Sequence, residues 1–417
     1  FLFPLPTAGE RMISVEEAQG IVIANLAGPK VEEVPFRAAL GRVLSEKIVA
    51  TRDIPPFNRS GVDGFALRAA DTANVPAEFT IAGESRAGGE MPGALPPGSA
   101  VAIMTGAPLP EGADAVQMIE QCRVSADGRK VTVLDQVRAG ENFALKGSEA
   151  GSGEEVLQPG HRIGPAELAV LATFGYSLVP VYRKPEVALL VTGDELVEFD
   201  ENPGDSQIRN SNAHCIAAQL KYMDIEPEYL GIARDSRDDL RSRILAGLQR
   251  DVLIVSGGVS MGNYDLVKDV FAELGIEILF SKVALKPGKP TVFARKGDRL
   301  VFGLPGNPIS SLVTFECFVR PAVGRLCGLK KPDLLRVKGE LLGDMRQSPG
   351  RTSFMPAWAW WQEDGWKVEP LRWKSSADIV GFTGANAAFV FPGHLSLLKR
   401  GEIVDLMLLP DFFSRQR

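Results

Sequence analysis

Three short glycine-containing segments stand at the ends of apolar runs. Thr192-Gly193-Asp194-Glu195 follows Val187–Val191. Ser256-Gly257-Gly258-Val259-Ser260-Met261-Gly262-Asn263-Tyr264-Asp265 follows Val252–Val255. Leu304-Pro305-Gly306-Asn307-Pro308 opens a helical stretch. Continuous apolar runs of this length read as parallel strands buried on both faces. In open α/β sheets ligands bind beyond the carboxyl ends of such strands. Glycines there let backbone N–H groups approach an anion, and a helix N-terminus favours negative charge. Gly193, Gly257, Gly258, Ser260, Gly262, Pro305, Gly306 and Asn307 are therefore candidate ligand-binding residues. Lys282, Lys286 and Lys289, in Lys282-Val283-Ala284-Leu285-Lys286-Pro287-Gly288-Lys289-Pro290, add point charges suited to phosphates or oxyanions. The acidic residues Asp63, Glu195, Asp235 and Asp265 sit beside glycines or in short turns. Facing a polyanion, such carboxylates hold a divalent cation, and hard oxygen ligands suit magnesium. By spacing alone they read better as ordinary turn carboxylates.

Other chemistries find little support. There is no GxxxxGK[ST] phosphate loop, and no GxGxxG follows a strand. His161, His214 and His394 are too dispersed to suggest a metal site. Cys122, Cys215, Cys317 and Cys327 form no CxxC, which argues against a thiolate zinc site or a disulfide framework and fits a reducing compartment. Gly258-Val259-Ser260-Met261-Gly262 does match GxSxG between a strand and a helix, the setting of a hydrolase nucleophile. Only His394 follows it, in a different module, so a serine hydrolase is the weakest reading; labelling of Ser260 by a fluorophosphonate would revive it.

The elements that must position these residues are legible in outline. Ser14, with Glu17 three residues on, reads as a capping box for a helix over 14–26. A short helix is expected within 36–44. Residues 81–113 hold seven glycines and five prolines, a density that favours short strands and tight turns, so about 50–149 reads as an inserted β-rich module. A helix over 165–175 and a strand over 177–182 close an N-terminal domain formed by 12–49 and 150–182. From 183 to 333, strands alternate with helices (211–222, 266–274 and 308–319) and a hairpin over 292–304, as in a doubly wound α/β domain. All five tryptophans fall between 358 and 373, in a separate C-terminal β domain spanning 334–417. With 417 residues, 46 Lys+Arg and 52 Asp+Glu, the net charge of −6 argues against a nucleic-acid coat. No run approaches the length of a membrane span, and the opening Phe1-Leu2-Phe3-Pro4-Leu5-Pro6 does not read as a signal peptide. A cytoplasmic protein is expected, with Met12 as a candidate natural start.

Taken together, these segments resemble the MoeA family, the molybdopterin molybdenumtransferases. The resemblance rests on Ala39–Leu44, Asp53-Ile54-Pro55-Pro56-Phe57, Val62-Asp63-Gly64-Phe65-Ala66 and Met104-Thr105-Gly106-Ala107-Pro108. It continues through Thr192–Leu196, Ser256–Gly262, Lys286–Pro290 and Leu304–Pro308, and covers about residues 12–417. It implies a MogA-like central α/β domain and an enzyme that inserts molybdate into adenylylated molybdopterin, releasing AMP with Mg2+ present. Residue by residue, the resemblance gives catalytic roles to Asp63, Glu195, Asp235, Asp265, Lys282 and Lys286. Glu195, Asp235 and Asp265 become the metal ligands, and Thr105 joins the ligand-binding residues with Lys289. It implies a homodimer, with Asp63 supplied by the partner subunit, and other molybdenum cofactor biosynthesis proteins as partners; nucleic acid and membrane are not expected.

Two positions depart from the family pattern. Ala144 stands where an arginine is common, with Lys146 nearby, and Gly381 stands where a serine is common, with Ser375, Ser376 and Thr383 as substitutes. These leave open the oxyanion subsite and the choice between molybdate and tungstate. Two further readings stand beside insertion: a non-catalytic dimeric scaffold, a role that the gephyrin E domain of the same family also serves, and a molybdopterin adenylyltransferase. Nucleoside triphosphate consumption would mark the latter.

Overall fold

The computed structural model describes residues 11–258 and 266–415. The chain forms two compact units. One takes in the chain up to Glu32 and again from Val181; the other is Glu33–Pro180.

The first unit is built on a six-stranded sheet. Its order begins Glu228–Ala233, Val187–Thr192, Val252–Ser256, Arg299–Leu304, all parallel. The antiparallel strands Val292–Lys296 and Glu277–Phe280 complete it. Every residue of Val187–Thr192 and Val252–Ser256 is buried. The alternation of side chains along a strand divides them between two cores. Val187, Leu189 and Val191 meet Ala213, Ile216 and Leu220 of the helix Asn212–Lys221 on one face. Ala188 and Leu190 meet Leu240 and Ile244, with Val267, Val270 and Phe271, on the other. The sheet is thus wound on both faces, as the alternating pattern predicts. The helix Arg237–Gly247 is absent from the sequence outline. Its charged composition hides a buried stripe of only Leu240, Ile244 and Gly247.

The helical stretch from Pro308 runs on to Leu326, further than 319, through a π-turn at Phe315–Val319. Pro321 explains the turn: it has no N–H to offer the carbonyl four residues back, at Cys317. Gln19 Nε2 donates to that carbonyl instead, at 3.0 Å. Gln19 belongs to the helix Val15–Ala24, capped by Ser14 Oγ, which accepts from Glu17 N at 3.0 Å.

The C-terminal strands form a closed ring, Thr352–Gln362, Gly365–Pro370, Arg336–Leu341, Ile403–Leu408, Ala387–Phe391 and back to Thr352–Gln362. Leu285–Lys286 adds to it beside Thr352–Ser353. The second unit carries another six-stranded sheet, in the order Ala115–Met118, Gly64–Leu67, Ser99–Ile103, Ala77–Ser85, Lys130–Val133, Cys122–Val124. Phe65, Leu67, Phe79, Val131 and Val133 fill its core. The helix expected within 36–44 is only a 3-10 turn, Phe36–Ala38. Gly41 turns the chain at φ +77°, and Val43 then bridges to Arg162.

Candidate active site

Counting the six strands of the sheet in chain order, its parallel part runs second, first, third, sixth. The connections therefore leave the first strand, Val187–Thr192, in opposite directions, and a crevice opens between Thr192 and Ser256. A cavity of about 960 Å³ lies there. The loops that follow Val187–Thr192, Val252–Ser256 and Arg299–Leu304 all line it, as does Asp235 beyond Glu228–Ala233.

The loops need their glycines for space as much as for shape. A Cβ on Gly257 (φ +93°) would lie 2.5 Å from the Thr192 carbonyl oxygen, and one on Gly258 (φ +64°) 2.6 Å from Thr192 Oγ1. Gly257 N donates to Leu304 O at 3.0 Å. Thr192 Oγ1 and Asn212 Oδ1 are among the buried side-chain oxygens that have no hydrogen-bond partner among the described residues.

Charge is ordered across the sheet. At the first two strands stand acids. The Glu195 carboxylate folds over Gly193, where a Cβ would lie 2.5 Å from its Oε2. Asp235 N donates to Asp194 Oδ1 at 3.1 Å. Partial burial, then the neighbouring charges of Asp194 and Glu195, raise the Asp235 pKa above the ordinary carboxylate range. Among the described residues neither Glu195 nor Asp235 has an ion-pair partner. No group of three or more potential metal-binding side chains occurs among them either; Asp265 lies outside the described residues, as do Ser260 and Gly262. The next two strands offer backbone amides at Gly258, Gly306 and Asn307. Lysines arrive from elsewhere: Lys286, fixed beside Ser353 by strand pairing, and Lys289. Lys282 does not line the cavity; its carbonyl accepts from Ile13 N at 3.1 Å.

Several lining residues escaped the sequence reading. Arg351 reaches the cavity from just before the strand Thr352–Gln362, Trp373 and Lys374 from just after Gly365–Pro370, and Arg209, Asn210 and Asn212 from the segment that leads into the helix Asn212–Lys221. Asn210-Ser211-Asn212 reads in sequence as helix-capping chemistry, and Arg351 as a turn residue; nothing local marks either as a ligand contact. Ser375 and Ser376 also line the cavity. Asn307 Nδ2 donates to Ser376 Oγ at 2.9 Å, and Ile309 N to Ser376 O at 3.1 Å.

Asp63 and Thr105 belong to the second unit. The Asp63 carboxylate accepts from Thr105 N at 2.7 Å and from Thr105 Oγ1 at 3.0 Å, bonds that lower its pKa. Ala144 pairs in register with Arg59. Lys146 is tied to Asp53, with Nζ 3.4 Å from a carboxylate oxygen.

Comparison with known proteins decides the family. Residues 13–175 match the MoeA N-terminal region (domain I and II), 188–325 the probable molybdopterin binding domain, and 338–409 the MoeA C-terminal region (domain IV). The chain belongs to the MoeA family. A molybdopterin molybdenumtransferase of Staphylococcus aureus (strain Mu50) is 36% identical over 404 residues, 95% of each chain. One of Bacillus subtilis (strain 168) is 35% identical, over 95% of this chain and 94% of its own. The crystal structure of the MoeA molybdopterin biosynthesis protein of Pyrococcus horikosii superposes with a TM-score of 0.83 at 31% identity, covering 95% of this chain and 99% of that one. The MoeA multidomain fold, with its central α/β domain and C-terminal β domain, is thus the fold of this chain.

Proposed function

We propose that the chain is a molybdopterin molybdenumtransferase: it takes adenylylated molybdopterin and molybdate, inserts the metal at the dithiolene, and releases AMP as water cleaves the phosphoanhydride. The observation that carries this reading is the charge order of the cavity. Amides of two glycine loops and the ammonium groups of Lys286 and Lys289 suit the phosphates of the substrate and the incoming oxyanion. Held in one cleft, the two reactants meet without the entropic cost of a bimolecular encounter. The pterin's own sulfurs are the soft ligands molybdenum requires, so the protein needs no cysteine cluster.

The carboxylates at the other edge fit a divalent cation. Glu195 and Asp235 are hard oxygen donors, close enough to raise a pKa and unneutralised by any described cation, as a magnesium site demands; Asp265 would complete the set. Bound there, magnesium would supply charge neutralisation at the phosphoanhydride. Glu195 and Asp235 hold negative charge at that edge, while Lys286 and the loop amides fix the phosphates. The reading includes a cytoplasmic homodimer in which Asp63 of the partner subunit completes the site, and exchange of substrate with other molybdenum cofactor biosynthesis proteins. No described helix is long and apolar enough to cross a membrane.

The test is AMP release from adenylylated molybdopterin with molybdate and magnesium. Wild type should release AMP in a molybdate-dependent manner, and Glu195→Gln should lower the rate about 100-fold. Consumption of a nucleoside triphosphate would replace this reading with adenylyl transfer. No release with either molybdate or tungstate would leave the scaffold.

A further inference from the structure

The two glycine loops leave the ends of neighbouring strands, beyond the last backbone bond between them, Gly257 N to Leu304 O. Something must hold them at a fixed separation if their amides are to meet two anionic groups of one ligand. One side chain touches both. Asn212 Nδ2 donates to Ser256 Oγ at 3.0 Å, at the root of the first loop, and to Gly306 O at 2.8 Å, within the second. The loops approach closely there: a Cβ on Gly306 would lie 3.8 Å from Gly257 Cα.

The orientation of this amide is fixed by its partners. The Gly306 carbonyl only accepts, so the atom facing it is Nδ2, and both amide hydrogens are engaged. Asn212 is 7% exposed, which makes the loss of those partners costly. Capping of its own helix does not require this side chain. Asn210 Oδ1 performs that task, accepting from Ala213 N at 3.1 Å. From Gly306 the connection continues: Asn307 Nδ2 holds Ser376 Oγ, and the Ser376 carbonyl accepts from Ile309 N. One run of hydrogen bonds thus joins the end of the third strand to the segment beside Lys374.

We propose that Asn212 is a positioning residue of the reaction: its amide sets the spacing of the Ser256–Gly258 and Pro305–Asn307 loops to that of the anionic groups of the substrate. The proposal rests on the transferase reading for the identity of that substrate, and on hydrogen bonds alone for the clamp. Asn212 acts through the loop amides, so its loss weakens substrate binding more than turnover.

Two measurements on the full-length protein test it. The first is steady-state AMP release. Asn212→Ala should raise KM for adenylylated molybdopterin about tenfold, with kcat within about threefold of wild type, the effect of two neutral hydrogen bonds. In a Ser256→Ala background the same substitution should have a smaller effect, because the two side chains share a bond. The second is amide hydrogen exchange without substrate. Protection should fall together in segments 256–258 and 305–309, while the helix Asn212–Lys221 beyond its first turn stays protected. Should Asn212→Ala fail to fold, Asn212→Ser takes its place in both measurements. An unchanged KM, with kcat reduced in proportion to the folded fraction, would overturn the proposal. So would faster exchange confined to the helix. If wild type itself releases no AMP, the transferase reading fails, and the exchange measurement still judges the clamp.

Discussion

The central sheet presents an aspartate problem at each end and solves it in opposite ways. At the amino end, Asp251 precedes the strand Val252–Ser256 and is ringed by cations. Lys30 Nζ lies 2.8 Å from its carboxylate and Arg299 Nη1 3.0 Å, Arg183 pairs with it closely, and Glu186 N donates to it at 2.9 Å. Burial opposes ionisation there, but Lys30, the Glu186 N–H and Arg183 outweigh it and bring the Asp251 pKa down to about 2. At the carboxyl end, Asp235 faces Asp194 and Glu195, and its pKa rises. One end is neutralised within the chain. The other keeps like charges together, a local cost that packing does not require and that the proposed cation site would explain.

Substitutions that break this contrast should differ in kind as well as size. The largest effect on activity is expected from Gly257→Ala. Its Cβ would meet the Thr192 carbonyl at 2.5 Å in a left-handed conformation, and a loop displaced by an ångström loses about 100-fold in rate. AMP release checks this; wild-type activity would mean that the loop amides do not touch the substrate.

At the opposite end, Asp251→Asn should leave the kinetic constants unchanged and cost about 2 kcal/mol of stability, since it strands three cations around a neutral amide. The effect has a pH signature. Because the folded-state pKa lies below the unfolded one, the stabilisation is complete above about pH 4 and disappears as pH falls towards 2. Thermal melts of wild type and variant should therefore converge in acid. A constant gap down to pH 2 would contradict the ion-pair account.

The smallest effect sharpens the comparison most. Asp235→Asn removes a like charge, so at neutral pH it should leave stability unchanged or raise it, by at most about 0.5 kcal/mol, while lowering magnesium-dependent turnover. A clear loss of stability would place Asp235 with Asp251 as a structural acid.

What could be read from the sequence follows from how local the physics is. Val187–Val191 and Val252–Val255 announce buried parallel strands because nothing else tolerates such runs. The glycine loops are visible because their conformations and close approaches exclude side chains. The helix Arg237–Gly247 is not, because two buried large apolar side chains, Leu240 and Ile244, among so many charges make a faint stripe. Arg351 and Lys374 reach the cavity only through the closed C-terminal ring, whose pairings span tens of residues. Asn212 looks like a capping residue, and its partners lie 44 and 94 residues away. The short helix expected within 36–44 failed at Gly41, where one turn outweighed the apolar pattern around it.

The helix Val15–Ala24 belongs with Val181–Arg417, yet Glu33–Pro180 separates them in the chain. Ile13, Val15, Ala18 and Val22 are buried beside Phe315, Phe318, Val319 and Val323. During synthesis the helix therefore emerges about 300 residues before the surface it covers, a wait on the order of 15–60 s at ordinary elongation rates. The intervening unit can fold in that time. The helix Val15–Ala24 must wait for that surface, and Gln19 reaches the open carbonyl of Cys317, 298 residues further on, only after that much more chain has been made.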